Sequence, residues 1–229
     1  MFKLIRLELR KINLRQYVFG ALAAIFILAG LLFFAMYTDR NTIGATSEDF
    51  FFVVDSTRMV FIVFAGILIS RLFIEEYNDK NISLMFTYPI SRKKIFISKL
   101  LIIICATFFL IHVSRIFVAA VLYMLNSQLD FIDGGITIHL IMEYFKNTVI
   151  YDLSFSGISL VPLFFGMLKK SVRTTIITSI IIAIFFGISN ENLSDLSIGS
   201  FIVRSLVFII IGAAASYLAI RNMERKDVT

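Results

Sequence analysis

The residues of this chain that are able to support acid–base or metal chemistry are few. Hydrolysis by such groups needs carboxylates and histidines that converge on one water molecule or ion. The chain has two histidines, His112 and His139, and one pair of adjacent glutamates, Glu75 and Glu76. Its single cysteine, Cys105, lies in an apolar segment, so we expect no intramolecular disulfide, no cysteine-based zinc site and no cofactor.

A second set of ionisable residues lies inside long apolar segments at a similar depth. Four of them are 16 or 17 residues from the charged residue that ends their segment on one side, which is about 25 Å along a helix. These four are Arg58, Arg115, Asp152 and Arg204, and Asp55 and His112 lie one helical turn from Arg58 and Arg115. Charges at membrane depth are costly and usually face partners or a water-filled cavity, so these six residues are candidate site residues.

Apolar residues dominate the chain and occur in long blocks that must position these groups. Of its 229 residues, 59% are hydrophobic and 17% are charged, whereas about a quarter of an ordinary soluble domain is charged. Blocks of roughly 17 to 25 apolar residues are long enough to cross a bilayer. We therefore predict an all-α integral membrane protein whose single transmembrane domain covers residues 1–229. The six predicted spans are approximately 17–37, 51–74, 95–125, 149–168, 174–189 and 201–220.

The distribution of charge between the spans predicts their orientation. Most of the 22 lysines and arginines lie in the two terminal segments, the second-to-third connection and the fourth-to-fifth connection, and acidic residues predominate in the others. The positive-inside rule therefore places both termini in the cytoplasm. Because topology and anionic lipid account for the basic pI, we expect membrane lipid and no nucleic acid as a partner. The abundance of Phe, Ile, Lys and Asn would fit an AT-rich bacterial genome, and we expect a multi-pass protein of the bacterial plasma membrane.

Two segments have the apolar periodicity of helices that lie on a membrane surface. The apolar stripe of the first, within residues 1–16, consists of Phe2, Ile5, Leu9 and Ile12. The stripe of the second, before the fourth span, consists of Ile138, Ile141, Phe145 and Val149. The polar residues and proline of the fourth span are Ser154, Ser156, Ser159 and Pro162. They form either a kinked polar lining or, as we favour, hydroxyls bonded to their own helix.

The cytoplasmic connection between the second and third spans has an unusual apolar cluster among its charges. Asn81 is placed to cap a short helix whose one face carries Ile82, Met85 and Phe86, and Pro89 ends that helix. A solvated charged connection would not need such a cluster. A short amphipathic helix between two spans is suited to transmit force from a soluble partner, with Met85 and Phe86 as anchors.

This connection resembles that of a known family. A glutamate followed by Ile-Ser-Leu-Met-Phe-Thr-Tyr-Pro-Ile-Ser-Arg-Lys-Lys-Ile-Phe-Ile-Ser-Lys, residues 82–99, is similar to the cytoplasmic loop of type-2 ATP-binding-cassette (ABC) exporter permeases. The small permeases of bacitracin-export and lantibiotic-immunity type are the most similar in character. The resemblance covers the whole chain in layout and residues 75–99 in motif. It implies an N-terminal amphipathic elbow helix, six spans and a coupling helix between the second and third.

The resemblance also implies partners and roles for residues. The residues that would contact a separate ATPase are Glu75, Glu76, Ile82, Met85 and Phe86. Those that would shape the re-entry into the third span are Pro89, Ser91 and Arg92. No phosphate-binding Gly-x-x-x-x-Gly-Lys-Ser/Thr run occurs in the sequence, so we expect this chain to be no enzyme and a partner to hydrolyse ATP. Two permeases, identical or paralogous, would export an amphipathic substrate, for which an antimicrobial peptide is one candidate.

For the deep charged layer, two interpretations follow from this function. In one, Arg58, Arg115 and Arg204 line the outer mouth of the translocation path and Asp55 and Asp152 are their counter-ions. In the other, which we favour, the layer consists of interhelical ion pairs and of side chains that snorkel to the outer headgroups.

Two other functions are alternatives to export. Glu75-Glu76, Phe108-x-x-x-His112 and His139 resemble motifs of intramembrane CAAX-type proteases. However, the glutamates are predicted at the inner face, His112 some 20 Å deeper and His139 on the outer side, so they cannot converge. The other alternative is an ATP-independent channel, carrier or accessory protein, but pore-lining polar stripes and internal repeats are not evident.

Overall fold

The computed structural model describes residues 2–11, 14–38, 47–78, 92–129, 137–187 and 198–226, and within these ranges the chain is helical, without strands. The helices are α1 (Phe2–Lys11), α2 (Leu14–Thr38), α3 (Ser47–Ile69), α4 (Arg92–Leu129), α5 (Ile138–Ile158), α6 (Val161–Lys169), α7 (Val172–Gly187) and α8 (Ile198–Lys226). A π-helical turn, Ser70–Glu75, and a last short turn, Glu76–Asn78, continue α3.

Four helical stretches are long and apolar enough to cross a membrane. They are Arg15–Thr38, Asp49–Glu75, Lys94–Gln128 and Thr148–Lys169, and two shorter apolar helical stretches are Val172–Phe186 and Ser205–Ala219. The four long stretches overlap the first four predicted spans, and the two shorter ones overlap the fifth and sixth. The prediction of an all-helical membrane protein is confirmed at this level, whereas six crossings and their orientation stay predictions.

Helix α3 is the central element of the bundle. It packs against α4 and α7, α8 packs against α5 and α6, and α2 packs on the outside of α4. Three apolar clusters follow one another through the bundle, and their buried centres include Ile69, Phe61 and Val54 of α3. Most side chains of α2 are exposed and apolar, as expected of a helix that faces lipid.

The N-terminal segment forms α1, which ends before the first long apolar helix begins. Ile5 and Leu9 pack against the apolar cluster around Ile69, while Leu7 on another face is exposed. The side chain of Phe2, and the whole of Ile12, lie outside the described residues. The part of the predicted stripe that is described therefore faces the bundle.

The predicted fourth span is divided into two helices, and its first part is longer than predicted. Helix α5 begins at Ile138, so the predicted surface segment and the first half of the span form one continuous helix. The break lies at Ser159–Leu160, and Pro162 stands in the first turn of α6. Because Pro162 has no N–H, it cannot bond to the carbonyl of Ile158, which explains why the α-helical pattern stops there.

The serines of α5 bond to their own helix. The hydroxyl of Ser154 donates to the carbonyl of Ile150 at 2.8 Å, and that of Ser156 donates to the carbonyl of Leu153 at 2.6 Å. The hydroxyl of Ser159, just after the end of α5, donates to the carbonyl of Ser156 at 2.7 Å. This geometry corresponds to the second interpretation of these residues, local satisfaction of hydroxyls in an apolar environment.

Helices α5 and α8 cross at a pair of glycines. A Cβ atom added to Gly212 would collide with the carbonyl of Gly157, and one added to Gly157 would lie 3.2 Å from the Cα of Ile209. The two backbones therefore approach as closely as small residues permit, which is typical of helix packing in membranes.

Candidate functional site

Three neighbouring helices bring ionisable side chains together inside the bundle. We call this group the ionic cluster; its members are Asp55 and Arg58 of α3, His112 and Arg115 of α4, and Tyr144 and Asp152 of α5. Arg115 and Asp152 are 0% exposed, Arg58 is 3% exposed and Asp55 is 8% exposed. Charges this deeply buried persist only where partners compensate the loss of hydration.

Arg115 lies at the centre of the ionic cluster and contacts both carboxylates. Its Nη1 lies 2.8 Å from Oδ1 of Asp152, and its Nη2 lies 2.9 Å from Oδ1 of Asp55. The angles are not those of hydrogen bonds, but at these distances both contacts are ion pairs. Arg115 of α4 thus joins α3 to α5 electrostatically.

Each carboxylate of the cluster has a further polar contact. His112 Nδ1 lies 3.0 Å from Oδ2 of Asp152, and the His112 ring stacks parallel to that of Phe108. The phenolic hydroxyl of Tyr144 donates to Oδ1 of Asp55. The two carboxylates are therefore shared among several partners, and Arg115 is the partner common to both.

Arg58 is farther from a carboxylate than Arg115 is. Its Nη2 lies 3.8 Å from Oδ2 of Asp55, which is beyond hydrogen-bond distance. Its guanidinium carbon lies 4.6 Å from the ring centroid of Phe155 and 5.1 Å from that of Tyr151. Within the described part of the chain, no acceptor bonds to Nε or Nη1. The main neighbours of this cation are therefore aromatic faces.

Five of the six residues predicted to share one depth have described side chains, and these five contact one another through the cluster. They are Asp55, Arg58, His112, Arg115 and Asp152. The sixth, Arg204, lies in α8, but its side chain is outside the described residues. Tyr144 is not among the residues predicted from the sequence. A signal exists, since Tyr144 lies eight residues before Asp152, about two turns away on a similar face of a helix.

A second buried charge joins three elements at one end of the bundle. Lys99 of α4 is 4% exposed, pairs with Glu76 at the end of the α3 extension, and donates to the carbonyl of Leu72 at 2.9 Å. Its Nζ also lies 3.8 Å from the carboxylate of Glu8 in α1. We call Glu8, Glu76 and Lys99 the Lys99 triad. Lys99 ends the motif that resembles a cytoplasmic loop, but it lies about two turns inside α4 and is buried.

The α6–α7 connection meets the α3 extension at this same end. Lys170 Nζ lies 4.4 Å above the ring of Tyr77. Lys170 has a left-handed backbone conformation, with φ 50°, which ends α6. The structure therefore groups the ends of α1, α3 and α6 around the residues that flank the predicted coupling segment.

The predicted ATPase-coupling residues are only partly described. Glu75 pairs with Arg71 at the surface, and Glu76 belongs to the Lys99 triad. Arg92 begins α4, but its side chain is not described. The remaining predicted coupling residues, Ile82, Met85, Phe86, Pro89 and Ser91, lie outside the described residues.

The groups of the protease alternative do not meet in the structure. His112 contacts Asp152, whereas Glu75 and Glu76 contact Arg71 and Lys99. His139 is exposed in the first turn of α5. Among the described residues, no group of three or more histidines, cysteines and acidic residues is arranged to hold a metal ion.

Comparison with known proteins places the chain in a family. The model of the family described as ABC-2 family transporter protein matches residues 4–190. The chain is 39% identical to the uncharacterized protein YcbO of Bacillus subtilis (strain 168), over 98% of this chain and 99% of that protein. No solved structure matches. The predicted resemblance is thus confirmed, and this chain belongs to the ABC-2 family of transporter membrane proteins.

Proposed function

We propose that this chain is the membrane-spanning permease subunit of an ABC exporter, which moves an amphipathic substrate outward with energy from a separate ATPase subunit. Membership of the ABC-2 family supports the permease role, because members are membrane components without an ATPase of their own. A second copy of the chain, or a paralogue, completes the pathway in this proposal.

The single observation that carries the coupling part of the proposal is the Lys99 triad. Glu76 stands just before residues 79–91, which contain the proposed coupling helix, and Lys99 lies about two turns into α4, the helix that follows them. The two side chains form a buried ion pair. The end of the α3 extension and the start of α4, which flank this segment, are therefore held together. A force applied to residues 79–91 is then passed directly to α3 and α4.

The third member of the triad extends this junction to the N-terminal helix. Glu8 of α1 lies 3.8 Å from Lys99, and Ile5 and Leu9 pack on the same end of the bundle. In this proposal α1 is the elbow helix, lies along the cytoplasmic surface and moves with α3 and α4.

The proposed docking surface is the apolar face of residues 82–86. The experiment is purification of the tagged chain from native membranes in mild detergent, with mass spectrometry of the proteins that remain bound. Recovery of a nucleotide-binding subunit that is lost with Met85→Asp or Phe86→Asp would support the proposal. Ser83→Asp is the matched control, since it adds the same charge beside that face and should retain the subunit. Absence of any such subunit from the wild-type preparation contradicts ATP-driven function.

For the ionic cluster we propose a structural role for Arg115 and Asp152. Neither side chain is exposed. Arg115 pairs with Asp55 of α3 and Asp152 of α5, and Asp152 pairs with Arg115 of α4. Their close mutual pairing in addition to burial, and not burial alone, supports interhelical ion pairing over a place on the wall of an open pathway. Neutral substitutions that lower stability while export continues at the wild-type rate would support this role. A specific loss of export without loss of stability would favour the pathway role.

A further inference from the structure

Arg58 has hydrogen-bonding capacity that the described structure does not use. A guanidinium carries five N–H donors and is always charged. In Arg58, the side chain is 3% exposed, and neither Nε nor Nη1 has an acceptor among the described residues. Water is therefore largely excluded from a cation whose donors are incompletely satisfied, an arrangement that favours the arrival of an anionic acceptor.

The carboxylates of the ionic cluster do not satisfy the N–H donors of Arg58, because both carboxylates lie closer to Arg115. Asp152 lies against Arg115 and His112, and Oδ1 of Asp55 lies against Arg115 and Tyr144. Arg58 reaches only the other oxygen of Asp55, at 3.8 Å. The positive charge of Arg58 is thus the less compensated of the two guanidinium charges.

The aromatic surroundings of Arg58 favour a ligand whose anionic group is attached to an apolar chain. Its guanidinium carbon lies over the faces of Phe155 and Tyr151, and the N–H groups of Nε and Nη1 remain available to an anionic acceptor. Phe155 also contacts Phe208 of α8 edge to face, so the region is aromatic on more than one helix. An anion at the guanidinium edge with an apolar chain beside these rings would fit such a place.

We propose that Arg58 binds the phosphate or carboxylate group of the amphipathic molecule that this permease exports. This inference rests on the proposed export function and assigns a substrate class to it, an anionic amphiphile. Because Arg58 is buried between α3 and α5, binding accompanies a separation of these helices. Arg115 and Asp152 hold the helices in register and do not contact the ligand.

The test is binding of dodecyl phosphate to the purified full-length chain in dodecyl maltoside, measured by isothermal titration calorimetry. Dodecyltrimethylammonium, with the same tail and the opposite charge, is the ligand control. We expect Arg58→Gln to weaken dodecyl phosphate binding at least tenfold. Arg173→Gln, which removes an exposed arginine of α7, should leave it within twofold of wild type. Equal affinity of the wild type and Arg58→Gln overturns the proposal.

A second measurement on the wild type does not depend on the folding of a variant. Phenylglyoxal modifies arginines, and peptide mapping reports the extent at Arg58. Protection of Arg58 by dodecyl phosphate, but not by dodecyltrimethylammonium, supports the proposal. Modification that is the same with and without dodecyl phosphate, or absent in both, contradicts it.

A further measurement distinguishes a lipid headgroup from another source of the anion. Native mass spectrometry of the chain purified from membranes reports bound anionic lipid. Loss of that lipid in Arg58→Gln identifies a lipid headgroup as the ligand, and its absence from the wild type argues against a tightly bound lipid headgroup as the source of the anion. These measurements need no ATPase, so a failure to recover an ATPase subunit would refute the proposed function alone, whereas a failure of binding would refute the role of Arg58 alone.

Discussion

Nη1 of Arg115 lies 2.8 Å from Oδ1 of Asp152, and neither side chain is exposed to solvent. The pair joins α4 to α5 in a region of the bundle where an unpaired charge would be very costly. Its value therefore lies less in the attraction itself than in the penalty that either partner would suffer alone. This asymmetry leads to the first prediction.

Replacing Arg115 by glutamine should strongly destabilise the chain. The substitution leaves the carboxylates of Asp55 and Asp152 buried without the cation that they share, and loss of one partner of a buried pair typically costs about 3–5 kcal/mol. The measurement is the thermal loss of helical circular dichroism in dodecyl maltoside. Arg173→Gln, at an exposed site, should change the free energy of unfolding by no more than about 0.5 kcal/mol. Equal stability of the two variants would show that the pair contributes nothing.

Removing the charge of Lys99 should destabilise the end of the bundle that carries the proposed coupling segment. Lys99→Gln removes the cation that Glu8 and Glu76 share, and the expected loss is roughly 1–3 kcal/mol because both carboxylates keep some access to water. Thermal melting gives the loss of stability. Lys94→Gln removes an exposed lysine from the first turn of the same helix and is the control. Similar melting curves for the two variants would contradict the buried triad.

The glycine crossing of α5 and α8 should not tolerate even one added methyl group. In Gly212→Ala the new Cβ would meet the carbonyl of Gly157, so the helices must separate, and overpacking of this kind costs typically about 1–3 kcal/mol. Gly30→Ala is the matched control, since nothing lies within 4 Å of a Cβ at that position. The measurement is the thermal stability of both variants. A Gly212→Ala protein as stable as Gly30→Ala would contradict the close approach of the two helices.

Replacing Pro162 by alanine should straighten the break between α5 and α6. Alanine restores an N–H that is able to bond to the carbonyl of Ile158. Spin labels at the exposed positions Leu153 and Leu168, in a Cys105→Ser background, report the change. Their separation should rise toward about 22 Å, the length of fifteen residues of straight helix. An unchanged distance would mean that packing against α8, and not the proline, maintains the break.

Much of the helical framework was accessible from the sequence because apolar block length and helix rise are local properties. The positions of the first four long helices and the similar spacing of Arg58, Arg115 and Asp152 from the ends of their segments follow from counting residues along a chain with a constant rise. The division of the fourth span was not predicted as such, because a kink at Pro162 was only one of two interpretations of its polar residues. The family was also recognisable, because the motif of residues 75–99 is contiguous. Element ends were less accurate, since α4 and α8 extend beyond the predicted spans and α5 begins eleven residues before its span.

The partners within the site depended on tertiary structure. Counting gives the depth of a residue but not the rotation of its helix, so it does not distinguish Arg115, which takes both carboxylates, from Arg58, which lies over aromatic rings. Nor did it indicate that Lys99 turns inward to Glu8 and Glu76. The amino-acid sequence by itself determined that this is a helical membrane protein with charges at similar distances from the ends of their apolar segments, because hydrophobicity and rise act locally. Only the packing of helices decided which charges meet, because that choice depends on rotations and crossings set by distant residues such as Gly157 and Gly212.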